Sequence, residues 1–170
     1  MNKTRPSRLR FNFGFLLEAP NSTTREIELD YPSVDVADDL TLAPLNGQFS
    51  ATRTSEGIYL NGRLHSKTEA ECVRCLEEAI VPLELDIDEI FYYPPHTAPP
   101  DGYVVGENGY IDLAPLLREL AILDVPIQPL CRPDCQGLCM SCGANLNEGD
   151  CGCEDDDIDP RFAALRELLD

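Results

Sequence analysis

Apolar residues alternate with polar ones in several segments, proline-rich loops separate those segments, and only two stretches carry helical spacing. These observations predict an α+β fold that is mainly β: an antiparallel, partly closed sheet with two peripheral helices and a Cys-rich, stapled element near the C-terminus. The expected division is a strand-rich core with one helix over residues 1–130. Residues 131–170 then form the Cys-rich element and a C-terminal helix that packs on the core.

Phe11, Phe13 and Phe15 alternate with Asn12 and Gly14, and Ile27, Leu29 and Tyr31 repeat the pattern before Pro32, so both segments read as early strands. From Ile58 to Glu71, Ile58, Leu60, Gly62 and Leu64 share one face, with Tyr59, Asn61, Arg63, His65 and Lys67 on the other. The alternation resumes after Cys72 and Cys75, in Val81, Leu83, Leu85 and Ile87. The simplest reading is two strands joined by a CxxC, with Pro82 placing the return strand at a sheet edge because proline cannot donate to a ladder.

Residues 94–102 (PPHTAPPDG) mark a surface loop without regular structure. Asp112 offers an N-cap, Pro115 suits a first turn, and Leu113, Leu116, Leu117 and Leu120 recur at helical spacing, predicting a helix over Leu113–Leu123. Pro126 and Pro129 end it and lead into Cys131–Cys153. Asp159 and Pro160 then open a last helix striped with Phe162, Leu165, Leu168 and Leu169.

The chain has 170 residues, 43% of them hydrophobic, which is enough for a real core. Lys and Arg total 13 against 31 Asp and Glu, a formal net charge of -18. Such a surface repels polyanions, so naked nucleic acid and anionic membranes are disfavoured and basic proteins favoured. No apolar run approaches the roughly 20 residues of a membrane span, and Met1–Arg10 holds no hydrophobic region suited to secretion. The expected location is the cytoplasm, where cysteines serve metal ligation or redox chemistry more often than disulfides.

All eight cysteines fall in close pairs: Cys72 and Cys75 (CxxC), Cys131 and Cys135 (CxxxC), Cys139 and Cys142 (CxxC), Cys151 and Cys153 (CxC). Structural zinc takes four tetrahedral ligands, and a two-residue spacer lets both sulfurs reach one ion. Two zinc ions are therefore favoured over one. The simplest allocation is a local site from Cys139, Cys142, Cys151 and Cys153, and a long-range site from Cys72, Cys75, Cys131 and Cys135. Gly143 follows the second ligand of its knuckle, where a tight turn needs positive φ. The pairing stays open: one zinc with four free thiols and an iron–sulfur cluster are alternatives. Dithiol chemistry at Cys72 and Cys75 is another, but it needs the first cysteine at a helix N-terminus, and strands flank this motif.

Little points to an enzyme. His65 reads as an exposed strand residue, His96 falls in the proline-rich loop, and no phosphate-binding, dinucleotide, zinc-protease or serine-hydrolase motif occurs. The acidic run Glu154–Asp157 lacks the periodicity of a calcium loop. Arg5, Arg8 and Arg10 form a basic arm that is a weak candidate for RNA contact.

The CVRCLEE segment at 72–78, IDL at 111–113 and the run LCRPDCQGLCMSCGANLNEGDCGCEDDDIDPRFAALRELL resemble the YceD family of bacterial and plastid proteins. Some members of that family retain only the central CxxC. The resemblance implies a role in assembling the large ribosomal subunit, through accumulation or processing of 23S ribosomal RNA. The expectation is a non-enzymatic factor whose partner is a basic ribosomal protein or a large-subunit RNA precursor, with no membrane and no small-molecule substrate. Direct RNA binding by zinc knuckles is the alternative, although Cys131–Cys153 offers Arg132 as its sole basic side chain and no aromatic ring. A CxxC thiol oxidoreductase ranks below it.

Overall fold

The computed structural model describes residues 8–106 and 108–153. In chain order the elements are β1 (Arg10–Asn12), α1 (Gly14–Leu17), β2 (Thr24–Tyr31), β3 (Val34–Ala37), β4 (Leu40–Leu42), β5 (Leu45–Arg53), β6 (Gly57–Glu71), β7 (Glu78–Tyr92), β8 (Tyr110–Asp112) and α2 (Ala114–Asp124). The main sheet is antiparallel in the order β2-β5-β6-β7, with the ribbons β1-β8 and β3-β4 beside it.

The β6–β7 hairpin dominates the molecule. Its strands are 15 residues each, paired from Gly57↔Tyr92 to Glu71↔Glu78, with the Cys72–Cys75 turn at the tip. Residues 66–71 run past the last β5 pairing at His65, and the freed edge is taken up by the end of β4: the Ala43 amide donates to the Lys67 carbonyl at 2.9 Å and the Thr68 hydroxyl to the Thr41 carbonyl at 3.1 Å. The overhang that carries the CxxC is thereby held on both edges.

The inner face of the sheet buries Leu29, Phe49, Ile58, Leu60, Leu64, Leu83, Leu85, Ile87 and Phe91. Helix α2 covers it against β7 and β3 through Leu116, Leu117 and Ala121, and α1 lies on β5 and β6. Each fully buried Leu, Ile or Phe contributes roughly 1.5–3 kcal/mol relative to an exposed one, so this layer carries most of the driving force.

The structure departs from the sequence reading at several points. The sheet is open rather than partly closed, with β2 and β7 as its edges. Closure is prevented at β7 because its outer edge is occupied: Pro82 has no amide, the Glu84 amide donates to Asp124 Oδ2 at 2.7 Å, and Tyr92 exchanges backbone bonds with Tyr103 and Val105. The first strand ends at Asn12, not Phe15, since the Asn12 side chain accepts the Gly14 amide and turns the chain into α1, leaving Phe15 exposed. Leu113, not Asp112, takes the cap position of α2, although Asp112 Oδ1 still accepts the Ala114 amide at 3.0 Å. Residues 95–97 form one 3-10 turn inside the proline-rich loop. The two helices present are α1 and α2; the C-terminal helix expected from Asp159 onward and the acidic run Glu154–Asp157 lie outside the described residues. No helix among the described residues is long and apolar enough to cross a membrane.

Gly62 faces Phe49 across the β5–β6 pair, where an added Cβ would collide with the Phe49 Cα and the Gln48 carbonyl, both backbone. Gly62→Ala therefore forces the central strands apart. It should lower unfolding stability in urea by about 1–3 kcal/mol.

Candidate metal centre

The hairpin tip and the chain after α2 meet at Cys72, Cys75, Cys131 and Cys135, whose four sulfurs lie within 4.8 Å of one another. Cys72 Sγ is 3.8 Å from Cys135 Sγ, and Cys75 Sγ is 3.6 Å from Cys131 Sγ. A tetrahedral ion with Zn–S bonds of ~2.3 Å spaces its ligand sulfurs ~3.8 Å apart. A disulfide would need ~2.05 Å. The donor set and spacing therefore fit a tetrahedral thiolate-bound ion such as zinc. Cys72, Cys75 and Cys135 are buried with Ala79 in a small core of their own, flanked by Leu130 and Leu138.

Backbone bonds build this quartet. The Val73 amide donates to the Pro129 carbonyl (3.0 Å), the Leu138 amide to the Arg74 carbonyl (3.1 Å), and Arg74 Nη1 to the Cys135 carbonyl (2.8 Å). The strap from Pro129 to Leu138 is thus docked on the knuckle through the main chain, independent of any sulfur.

The second quartet, Cys139, Cys142, Cys151 and Cys153, also lies within 4.8 Å and is more exposed, with Cys142 and Cys153 at the surface. Its knuckle repeats the first. The amide after the second cysteine donates to the carbonyl of the first in both, Leu76 to Cys72 at 2.9 Å and Gly143 to Cys139 at 2.8 Å. That bond needs a left-handed residue, φ 62° at Leu76 and 74° at Gly143. Gly143 adopts it freely, whereas Leu76, its side chain 58% exposed, does so against steric preference of about 1–2 kcal/mol. Gly152, φ 70°, opens the Cys151–Cys153 pair, its amide donating to Asp150 Oδ1.

The electrostatics of the two knuckles agree. Amides of Cys131, Cys75 and Arg74 hold the Cys72 thiol down at about 6 despite burial, and amides of Cys142 and Ser141 hold Cys139 at about 6. At Cys75 the Glu77 amide pulls down, but burial and the neighbouring thiols Cys72, Cys131 and Cys135 prevail and push it up to about 12. Cys142 and Cys151 do the same to Cys153, also about 12. Four sulfurs this close cannot all ionise without a cation among them, which is the behaviour of a preformed thiolate site.

The quartets are the same two that cysteine spacing proposed, and the structure adds what links them. Asn147 Nδ2 donates to Cys135 Sγ at 3.4 Å and to Asn145 Oδ1 at 2.8 Å, while Asn147 Oδ1 accepts the Gln136 amide at 2.9 Å. One side chain from the loop of the second quartet thus supports a sulfur of the first. The amide hydrogen bond holds Cys135 below the usual thiol range. Neither Asn147 nor Arg74 was marked as a site residue in the sequence; the only signal was an amide-rich ANLNEG stretch between two cysteine pairs. Of the basic arm, Arg5 lies outside the described residues, Arg8 is exposed, and Arg10 stacks over the Tyr110 ring at 4.5 Å.

An open antiparallel sheet whose longest hairpin ends in one cysteine quartet, with a second quartet hydrogen-bonded to the first, defines a β-rich protein with paired tetrathiolate-type sites. The profile described as "Large ribosomal RNA subunit accumulation protein YceD" matches residues 60–169, which span both quartets. The chain belongs to the YceD family. An uncharacterized protein of Mycobacterium tuberculosis is 38% identical over 121 residues, covering 68% of this chain and 57% of that protein, so the chain spans little more than half the length of that relative. The "Large ribosomal RNA subunit accumulation protein YCED homolog 1, chloroplastic" of Arabidopsis thaliana is 30% identical over 84 residues, 49% of this chain and 23% of that protein. The YlbN protein of Bacillus subtilis is 25% identical over 134 residues, 75% of this chain and 76% of that protein. No solved structure matches the chain significantly.

Two outcomes follow from the geometry. Asn147→Ala removes the amide donor to Cys135 and the tie to Gln136, and should weaken zinc at the first quartet by about 10–100-fold in competition with a chromophoric chelator. Because Cys75 and Cys153 keep their protons to about 12, zinc uptake must expel protons. Calorimetry in buffers of different ionisation enthalpy should register that release, with apparent affinity falling as the pH is lowered.

Proposed function

We propose that this chain is a non-enzymatic ribosome-biogenesis factor that supports accumulation or processing of large-subunit (23S) ribosomal RNA by holding a basic ribosomal protein or a pre-ribosomal particle. The observation that carries this reading is the family profile over residues 60–169, whose description names large ribosomal RNA subunit accumulation. The net charge of -18 supports a basic client rather than bare RNA. In this reading all eight cysteines hold two zinc ions, residues 1–130 are the client-facing core, residues 131–170 are the stapled element, and the setting is the cytoplasm. Zinc supplies shape here, not chemistry: it neutralises four thiolates at each quartet, and Cys72 and Cys75 keep the strap Pro129–Leu138 on the hairpin.

Thiol oxidoreductase activity is disfavoured by the setting of the CxxC, which joins β6 to β7 in a hairpin turn instead of opening a helix. Direct RNA binding is disfavoured by the pairing of Arg132 with Asp134 and the stacking of Arg10 on Tyr110.

Affinity capture with the reduced, zinc-loaded chain should recover large-subunit precursors or a basic ribosomal protein at low salt and release them at high salt. Recovery of neither, or of protein-free ribosomal RNA alone, refutes the reading. Metal binding contributes on the order of 10–16 kcal/mol in small zinc modules, so chelation under reducing conditions should lower the melting temperature sharply. Unchanged melting after verified metal removal excludes a structural role for the ions.

A further inference from the structure

The two edges of the main sheet are treated differently. At β7 the edge is blunted by Pro82, by Asp124 on the Glu84 amide and by the Tyr103–Val105 segment at Tyr92. At β2 no described backbone group pairs with the outer edge over Thr24–Tyr31, although the strand is fully paired with β5 on its inner edge. A free eight-residue edge is a template for another strand unless its side chains forbid pairing.

The side chains of β2 select what can pair. Glu26, Glu28 and Asp30 stand in a row on the exposed face, ~6.8 Å apart, and none has a cationic partner among the described residues. On the other face Ile27 and Tyr31 are only partly buried against the core, leaving apolar surface for a neighbour to cover. A second copy of β2 is a poor occupant, because pairing two such strands would bring acidic rows together. Cations at every second position of an added strand would instead stand beside the three carboxylates. Glu26 also lines a polar hollow of about 450 Å³ with Gln48, Ser50, Asn61 and Arg63, which gives a long cationic side chain room to extend over the sheet.

We propose that the free edge of β2 accepts, as a fifth strand, an extended segment of a basic protein in which Lys or Arg alternates with apolar residues. Main-chain bonds to β2 supply the pairing, the cations face Glu26, Glu28 and Asp30, and the apolar set covers Ile27 and Tyr31. The identity of the client as a basic ribosomal protein rests on the function proposed above; the docking mode rests on the edge.

A fluorescent peptide alternating lysine and valine should bind the zinc-loaded full chain by anisotropy. The combined changes Glu26→Gln, Glu28→Gln and Asp30→Asn should weaken it by about tenfold. The matched changes Glu84→Gln, Asp86→Asn and Asp88→Asn, which remove the same charge from the blocked edge, should leave it unchanged. With the unaltered chain, N-methylation of one alternate set of peptide amides should abolish binding and methylation of the other set should be tolerated. Equal losses from the two charge sets, equal binding of a peptide with its lysines clustered, or indifference to both methylation patterns overturns the proposal. If the β2-neutralised chain still captures large-subunit precursors as well as the unaltered one, the edge is not the client site although the assembly function stands. If the peptide binds as expected and no ribosomal component is captured, the edge survives and the assembly function falls.

Discussion

Everything C-terminal of Pro129 depends on the closure between the β6–β7 tip and the strap that follows α2. Three main-chain contacts, from Val73, Leu138 and the Arg74 side chain, dock the strap before any sulfur is considered. They bring Cys131 and Cys135 to cysteines more than fifty positions earlier, so the quartet closes a long loop whose entropy must be met by strong local bonding. Four thiols brought together without a cation resist ionisation, which is why the same geometry that makes the closure invites a metal.

The second quartet inherits its position from the first. Its knuckle is a near copy in backbone terms, and Asn147 reaches from its loop to Cys135 while Leu146 donates to the Gly137 carbonyl. Gly137 needs φ 79° and packs against the Arg74 carbonyl, so the crossing between the quartets leaves no room for a side chain there. The outer site is exposed and built from local sequence; the inner site is buried and built from distant segments. Loss of the inner one would release both, whereas loss of the outer one leaves the strap docked.

The same hairpin organises the sheet and its edges. Its overhang binds the end of β4, its inner face seats α2, and its outer edge is covered, which leaves β2 as the sheet's open side. Exposed ion pairs such as Arg63 with Asp86 contribute little to stability in this setting. Their effect on the surface is larger: Arg63 is held by the β7 rim, and the acidic row of β2 is left for an external cation.

Cysteine spacing, the alternation along β6 and β7, the edge position signalled by Pro82 and the helix near residues 113–123 were legible in the sequence because each rests on contacts within a few residues or on a strict period. The acidic balance and the family resemblance were legible for the same reason. β3, β4 and β5 were not: the first two are very short, and in β5 Gly47 and Ala51 interrupt the apolar alternation that Leu45 and Phe49 begin. The positive φ at Leu76, the support of Cys135 by Asn147, the turn at Asn12 and the openness of the sheet depend on partners far along the chain. Sequence alone determined which groups can bind a cation and which segments can pair. The tertiary structure decided which groups meet and which edge stays free, because loop closure and edge coverage are set by long-range hydrogen bonds that leave no period in the sequence.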